Sequence, residues 1–282
     1  MATFGDIGRA IAGRLHRAGV NPDEARLDAE LIVRDHENWD RSAWIVHRDD
    51  EAPALLAELI EPAVRRREAR EPLAYVRGHA EFWGREFEVT RAVLIPRPET
   101  ELILEQALAL PSPAAARVSD VGTGSGCLAV SLAAERPAWR LHATDISAAA
   151  LDVARRNARR HGVSASIRFE QAALLGTSGT CDVIVSNPPY VAERERGGLQ
   201  PEVGFEPAEA LFAGPDGLAV IRALVDAAAE RLTPGGWLVF EFGFDQKEAI
   251  RQLLNDMPAW NDIRFTSDLQ GIPRTAAARR GA

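Results

Sequence analysis

Asp120-Val121-Gly122-Thr123-Gly124-Ser125-Gly126 is the stretch that decides the fold. It follows Arg117 to Val121, which reads as a strand, and it occupies the first strand-to-helix turn of an alternating region. Glycines at such a turn reverse the chain tightly and let a ligand touch the backbone. The spacing is GxGxG. A dinucleotide fingerprint places its third glycine one residue later, at a position held here by Cys127. That shifts the expectation from NAD to S-adenosylmethionine, a ligand without a pyrophosphate, whose methionine part would lie over the glycine loop. Asp145 ends the next strand, 21 residues after Gly124. An acid there accepts hydrogen bonds from both ribose hydroxyls.

From this turn outward, strands and helices alternate. Residues 140–144, 166–169, 182–186 and 236–242 read as strands. Residues 148–161 and 217–232 read as helices. Such alternation predicts an α/β fold, a mostly parallel sheet with helices on both faces. The Ala/Arg-rich tail after Thr275 is expected to be partly disordered.

A second motif sits at the end of the strand 182–186: Asn187-Pro188-Pro189-Tyr190. Each proline fixes its own φ at about −65°, and Pro188 pushes Asn187 out of the helical region. The Asn amide is therefore aimed before a ligand arrives. It offers an acceptor oxygen and two donor hydrogens, enough to grip a planar carboxamide or amino group, and Tyr190 adds a flat face. The alternative is a plain strand-ending turn, which Asn-Pro also favours. In open parallel sheets ligands bind beyond the carboxyl ends of the strands, and both motifs occupy such ends. Sequence alone leaves open whether the two strands are neighbours.

Residues 1–72 read as helices only. Ile7, Ile11 and Leu15 recur every four residues on one face. Asn21-Pro22-Asp23-Glu24 opens the next helix with a cap, a proline and first-turn acids; Leu27, Leu31 and Ile32 are expected to face inward. A third apolar series, Leu55, Leu56, Leu59 and Ile60, ends in Arg65-Arg66-Arg67, read as a solvated basic end. With 11 Arg against 15 Asp and Glu, this bundle suits protein docking better than DNA reading. Residues 73–96, rich in Phe82, Trp83, Phe87 and Val89 and broken by Gly84, predict a connecting β-hairpin. Residues 97–282 form the large domain, and Pro98-Glu99-Thr100-Glu101 opens its first helix.

Net charge is −8 with a pI of about 5.4, which argues against free duplex nucleic acid as a partner. Two cysteines without a CxxC, and six histidines without HxxxH or HExxH spacing, suggest no disulfide framework and no metal site. Residues 1–20 carry charges throughout and do not read as a signal peptide. No run approaches the roughly 20 apolar residues that span a bilayer. A reduced, cytoplasmic setting fits best.

DVGTGSG with NPPY resembles the class I methyltransferases that modify amide or amino nitrogens. More narrowly, the chain resembles the HemK family, the glutamine N5-methyltransferases of peptide-chain release factors. The resemblance runs from about Pro72 to Arg274. It includes Pro72-Leu73-Ala74-Tyr75, Glu81-Phe82-Trp83-Gly84, the run VLIPRPETE (93–101), Phe205-Glu206-Pro207, Gly235-Gly236 and Asp268-Leu269-Gln270-Gly271. NPPY is shared with adenine-N6 DNA methyltransferases; VLIPRPETE together with FEP is far more specific.

The resemblance implies a Rossmann-like domain with a seven-stranded sheet. It implies S-adenosylmethionine bound by Gly122, Thr123, Gly124, Ser125, Gly126, Asp145, Leu174 and Asn187. It also implies a catalytic set of Asn187, Pro188 and Tyr190. With Pro189 these would hold the glutamine of a Gly-Gly-Gln loop, and Arg97 and Glu99 would line the entrance. An Arg97–Glu99 ion pair stiffening the hairpin exit is an equal alternative for the last two, and Glu206 reads equally as functional or as an acidic helix start. Ala173 stands where the family carries an acid beside the adenine, so that contact would rest on apolar packing from Leu174. The expected enzyme is a monomer acting on release factors, with no direct nucleic-acid or membrane contact. The rival readings are a ribosomal-protein glutamine methyltransferase, an adenine-N6 DNA methyltransferase and a non-catalytic cofactor-binding scaffold.

Overall fold

A computed structural model describes residues 2–177 and 179–281. The chain divides into two units, Met1–Gly78 with Gln200–Phe205, and His79–Leu199 with Glu206–Ala282.

The first unit is helical: α1 (Phe4–Arg17), α2 (Pro22–Glu37), α3 (Arg41–His47), α4 (Leu56–Glu68) and α5 (Leu73–Arg77). Thr3 and Asp6 cap α1 reciprocally, and the Asn21 side chain accepts from Asp23 N to start α2. Ile11, Leu15, Ile32, Val33, Leu56 and Ile60 meet in its core. Two expectations need correction. Leu27 is more than half exposed; the inward face of α2 is Ala25, Asp28, Ala29, Ile32 and Val33. Arg67 is not solvated but fully buried. Its guanidinium donates to Asp28 (2.6 Å), Glu24 (2.8 Å) and Glu202 (2.8 Å). Asp28 can lie inward because Arg67 neutralises it there, which turns α2 away from the Leu27 side. Arg70 binds the same Glu202 through both oxygens, tying residues 200–205 to this unit. Burial alone would raise the Glu202 carboxyl, but the bonds from Arg70 and Arg67 outweigh it and hold it at about 2.

The second unit opens with an antiparallel hairpin, β1 (His79–Phe82) and β2 (Arg85–Glu88). The expected connector 73–96 therefore contains a short helix before its hairpin. After α6 (Glu101–Ala109) come β3 (Arg117–Val121), α7 (Cys127–Glu135), β4 (Arg140–Asp145), α8 (Ala148–Arg160), β5 (Ile167–Gln171) and β6 (Cys181–Ser186). Next are α9 (Ala219–Arg231), β7 (Leu232–Glu241), α10 (Lys247–Asn255), β8 (Trp260–Ser267) and β9 (Pro273–Arg280). The seven-stranded sheet has the order β5-β4-β3-β6-β7-β9-β8. Only β9 runs antiparallel to its neighbours β7 and β8. Residues 276–280 are thus not disordered but part of β9: Ala276, Ala277 and Ala278 are fully buried inside the sheet. Alanine has low strand propensity, but here small residues sit opposite large ones, Ala276 being paired with both Phe240 and Phe265.

The Asn157 side chain holds the hairpin to the sheet domain. Its Oδ1 accepts from Glu88 N (2.8 Å), and its Nδ2 donates to the carbonyls of Glu88 (3.0 Å) and Ser125 (2.8 Å). One buried amide thus joins β2, α8 and the glycine turn.

Replacing Arg67 with Met leaves the Asp28 carboxylate buried without its cation. Loss of one partner from a buried ion pair costs about 3–5 kcal/mol. Urea unfolding should show that loss for Arg67→Met and substantial recovery in Arg67→Met/Asp28→Leu; an Arg67→Met loss below about 1 kcal/mol, the range of surface pairs, would contradict the buried-network account.

Candidate active site

Strand β3 lies between β4 and β6. The chain builds β4 and β5 on one side of β3, then returns to build β6 on the other, so β3 and β6 flank the switch point where open α/β sheets bind ligands. The two run parallel, with Val121 level with Ser186. The Ser186 hydroxyl donates to the Val121 carbonyl at 2.7 Å. The next residues in each strand, Gly122 and Asn187, therefore leave the sheet side by side.

The glycine turn is fixed from below. Gly122 N and Thr123 N both donate to Thr144 O at 2.9 Å. Asp120 accepts from the Thr123 hydroxyl (2.6 Å) and from Ala129 N in α7 (3.1 Å), and its burial pushes it up to about 7. Asp145 accepts from Gly124 N and Ser147 N, both at 2.9 Å. Burial raises this carboxyl as well.

Above the turn is a cavity of about 470 Å³, within the roughly 300–1,000 Å³ of small-molecule sites. Gly122, Thr123, Gly124, Ser125, Asp145, Leu174, Asn187 and Pro189 all line it. Among the described residues its only charged lining groups are Asp145 and Glu209. A wall with two carboxylates and no Lys or Arg repels a pyrophosphate and suits a cationic ligand. A Cβ built on Gly122 or Gly124 meets no protein atom within 4 Å, so both positions give onto open space. These features fit a sulfonium nucleoside.

Gly126 does not line the cavity. It caps α7 with φ 82°, and a Cβ there would meet Ala154 Cβ at 3.1 Å. Arg97, Glu99, Pro188 and Tyr190 are also missing from the wall. The partner of Arg97 is Glu206 rather than Glu99. Glu206, itself buried, also accepts from Ile95 N at 3.1 Å. Its place is structural: it joins the VLIPRPETE and FEP segments. Held extended between two prolines (φ −102°, ψ 145°), Arg97 reaches this distant acid instead of its near neighbour.

Pro188 is buried and Asn187 half-buried. Asn187 Nδ2 donates to Thr100 Oγ1 at 2.8 Å, and Thr100 Oγ1 donates to Glu241 Oε2 at 2.7 Å. The Tyr190 hydroxyl donates to Glu241 Oε1 at 2.9 Å. Glu241 is 1% exposed, and burial pushes it up to about 7 against the pull of its two hydrogen bonds. Tyr190 is held protonated, first by burial and then by the Glu241 charge. It borders a second cavity of about 210 Å³ with Arg194, Leu199, Gln246 and Arg274. Gln246 Nε2 donates to Tyr190 O at 3.0 Å. Gly217 also approaches that carbonyl so closely that an added Cβ would lie 2.2 Å from it. Thr100, Glu241, Gln246 and Gly217 escaped the sequence reading as site residues. The available signal was a lone acid, Glu241, ending the apolar run Trp237 to Phe240.

A family model described as PrmC N-terminal domain matches residues 8–78, and one described as Methyltransferase small domain matches residues 99–202. Among solved structures, a methyltransferase from Pyrococcus furiosus aligns with a TM-score of 0.53 at 18% identity, covering 71% of this chain and 91% of its own; that likeness speaks for the fold alone. The release factor glutamine methyltransferase of Koribacter versatilis is 39% identical over 94% of this chain and 95% of its own length. That of Burkholderia pseudomallei is 41% identical over 96% of both. With identity of this order sustained across almost the whole of each chain, the protein belongs to the release factor glutamine methyltransferase family.

Proposed function

We propose that this protein transfers a methyl group from S-adenosylmethionine to the side-chain amide nitrogen of the glutamine in the Gly-Gly-Gln loop of peptide chain release factors. The observation that carries this reading is the shared cavity. The glycine turn, two carboxylates and the Asn187 amide open onto one space with no lining cation among the described residues. The names borne by the relatives supply the substrate.

In this assignment Asp145 would accept from the ribose hydroxyls, the backbone of Gly122, Thr123, Gly124 and Ser125 would hold the methionine part, and Leu174 would pack on the adenine. Gly126 contributes by letting α8 pack closely against the start of α7, Ala154 lying where a Cβ would stand. S-adenosylmethionine, when bound, supplies an electrophilic methyl group on its sulfonium. The chain's own task is positioning. A glutamine amide nitrogen is a poor nucleophile because its lone pair is delocalised into the carbonyl. Asn187 Oδ1 accepts one of its N–H bonds, and the Pro188 carbonyl accepts the other. Both bonds raise the rate only in so far as they strengthen at the transition state. Pro189 would flank the flat amide from the cavity wall, and Tyr190, outside that wall, would act through its hold on Glu241. Neither His nor Lys lines the cavity among the described residues, and we assign the released proton to solvent. Arg97 and Glu99 serve at the rim, Arg97 through its hold on Glu206.

We also assign residues 1–72 to docking of the release factor, with residues 73–96 as connector and 97–282 as the methyltransferase domain. Large apolar side chains left more than half exposed on the helical unit, Leu27, Ile45, Val46, Leu55 and Leu59, support the docking role. No helix among the described residues is long and apolar enough to cross a membrane. The enzyme works as a monomer in the cytoplasm, where release factors act.

Asn187→Ala should abolish methylation of a purified release factor while calorimetry shows cofactor binding close to wild type; substantial turnover by the variant would remove the assigned role. Ala173 lines the cavity between Ala172 and Leu174. Ala173→Asp should bind S-adenosylmethionine on the order of tenfold more tightly, the gain from one hydrogen bond to a charged group. Equal or weaker binding in calorimetry would count against Leu174 and its neighbours as the adenine site.

A further inference from the structure

A side-chain amide looks almost symmetric, yet the reaction needs its oxygen and not its nitrogen turned to the substrate N–H. Something must set that polarity, and Asn187 touches Thr100 through Nδ2. A threonine hydroxyl has one hydrogen to give. Thr100 gives it to Glu241 Oε2, so Thr100 Oγ1 can only accept from Asn187. The acceptor Oδ1 is then left for the cavity.

The polarity of this relay originates at Glu241. An ionised carboxylate only accepts, and both of its oxygens already do so, from Thr100 and from Tyr190. A proton on Oε2 would reverse the relay. Glu241 would donate to Thr100, Thr100 would donate to Asn187 Oδ1, and the amide would show the cavity its N–H₂, which repels the substrate N–H. We propose that Thr100 and Glu241 are positioning residues that fix the direction of the Asn187 amide, and that methyl transfer requires Glu241 to be ionised. The inference rests on Asn187 being the clamp of the proposed reaction.

The surroundings place this switch near neutral pH. Burial raises Glu241 to about 7; the hydroxyls of Thr100 and Tyr190 lower it, Glu99 from the 98–100 turn raises it, and Arg274 from β9 lowers it. Because the folded value lies above that of an ordinary glutamate, the competent form is present above about pH 7 and is lost as pH falls through it.

The test uses the full chain with an intact release factor as substrate. Thr100→Val keeps the side chain's shape and removes the hydroxyl; Thr100→Ser restores it. The expected result is a kcat at least tenfold lower for Thr100→Val with KM for the release factor within about twofold, and recovery in Thr100→Ser. Calorimetric binding of S-adenosylmethionine reports that the variant is folded. The wild-type kcat should fall tenfold per pH unit below about 7, and Glu241→Gln should have a lower kcat with no such break. Wild-type kcat in Thr100→Val, with Asn187→Ala inactive, would overturn the positioning role and leave the clamp standing. Turnover by Asn187→Ala would remove the clamp and the inference together. Should Thr100→Val fail to fold, the pH profiles decide: the same break in wild type and Glu241→Gln overturns the proposal.

Discussion

The site depends on one pairing, that of β3 with β6. Because Val121 and Ser186 lie level in adjacent parallel strands, the glycine turn and the proline-locked asparagine leave the sheet at the same height. The Ser186–Val121 hydrogen bond closes the last step of that ladder. A register slip of one residue would turn each side chain to the opposite face of the sheet. The cavity is therefore a consequence of strand order first and of side-chain chemistry second.

Around this junction the fold concentrates buried polar groups, and most are arranged as directional locks. Asp120 secures the turn to α7, Asn157 secures the hairpin to the turn, and Glu206 secures the VLIPRPETE segment to FEP. Glu241 secures both Thr100 and Tyr190. A buried polar group is costly when unpaired and rigidifying when its partners are complete. Two of these acids, Asp120 and Glu241, are pushed up to about 7 by burial. They differ in what they hold: Asp120 fixes backbone, whereas Glu241 reaches the amide that faces the cavity.

Much of this was legible in the sequence where local chemistry and long-range packing agree. The glycine turn, the strand ending in NPPY, the capped start of α2 and the alternating core follow from residue type and spacing. What escaped depends on partners far along the chain. Arg67 looked like part of a solvated basic end because its three acids lie 39 to 135 residues away. Leu27 looked inward because nothing local reveals that Asp28 is neutralised. The Ala/Arg tail looked disordered because alanine earns its place in β9 only through the bulk of the strands beside it. Arg97 paired across 109 residues with Glu206 instead of with Glu99. Thr100 and Glu241 stand 141 residues apart, so their contact is visible only after folding.

In the proposed reaction Asn187 presents its side-chain oxygen to a glutamine amide held beside the glycine turn. A crystal structure of the protein with S-adenosylhomocysteine and a release-factor Gly-Gly-Gln segment would show that contact or its absence. The glutamine Nε2 is expected within about 3.2 Å of Asn187 Oδ1, the ordinary limit of an N–H···O bond, with Asn187 Nδ2 still on Thr100 and the nitrogen facing the sulfur. A glutamine bound elsewhere, or an Asn187 turned away from it, would remove the clamp assigned to Asn187.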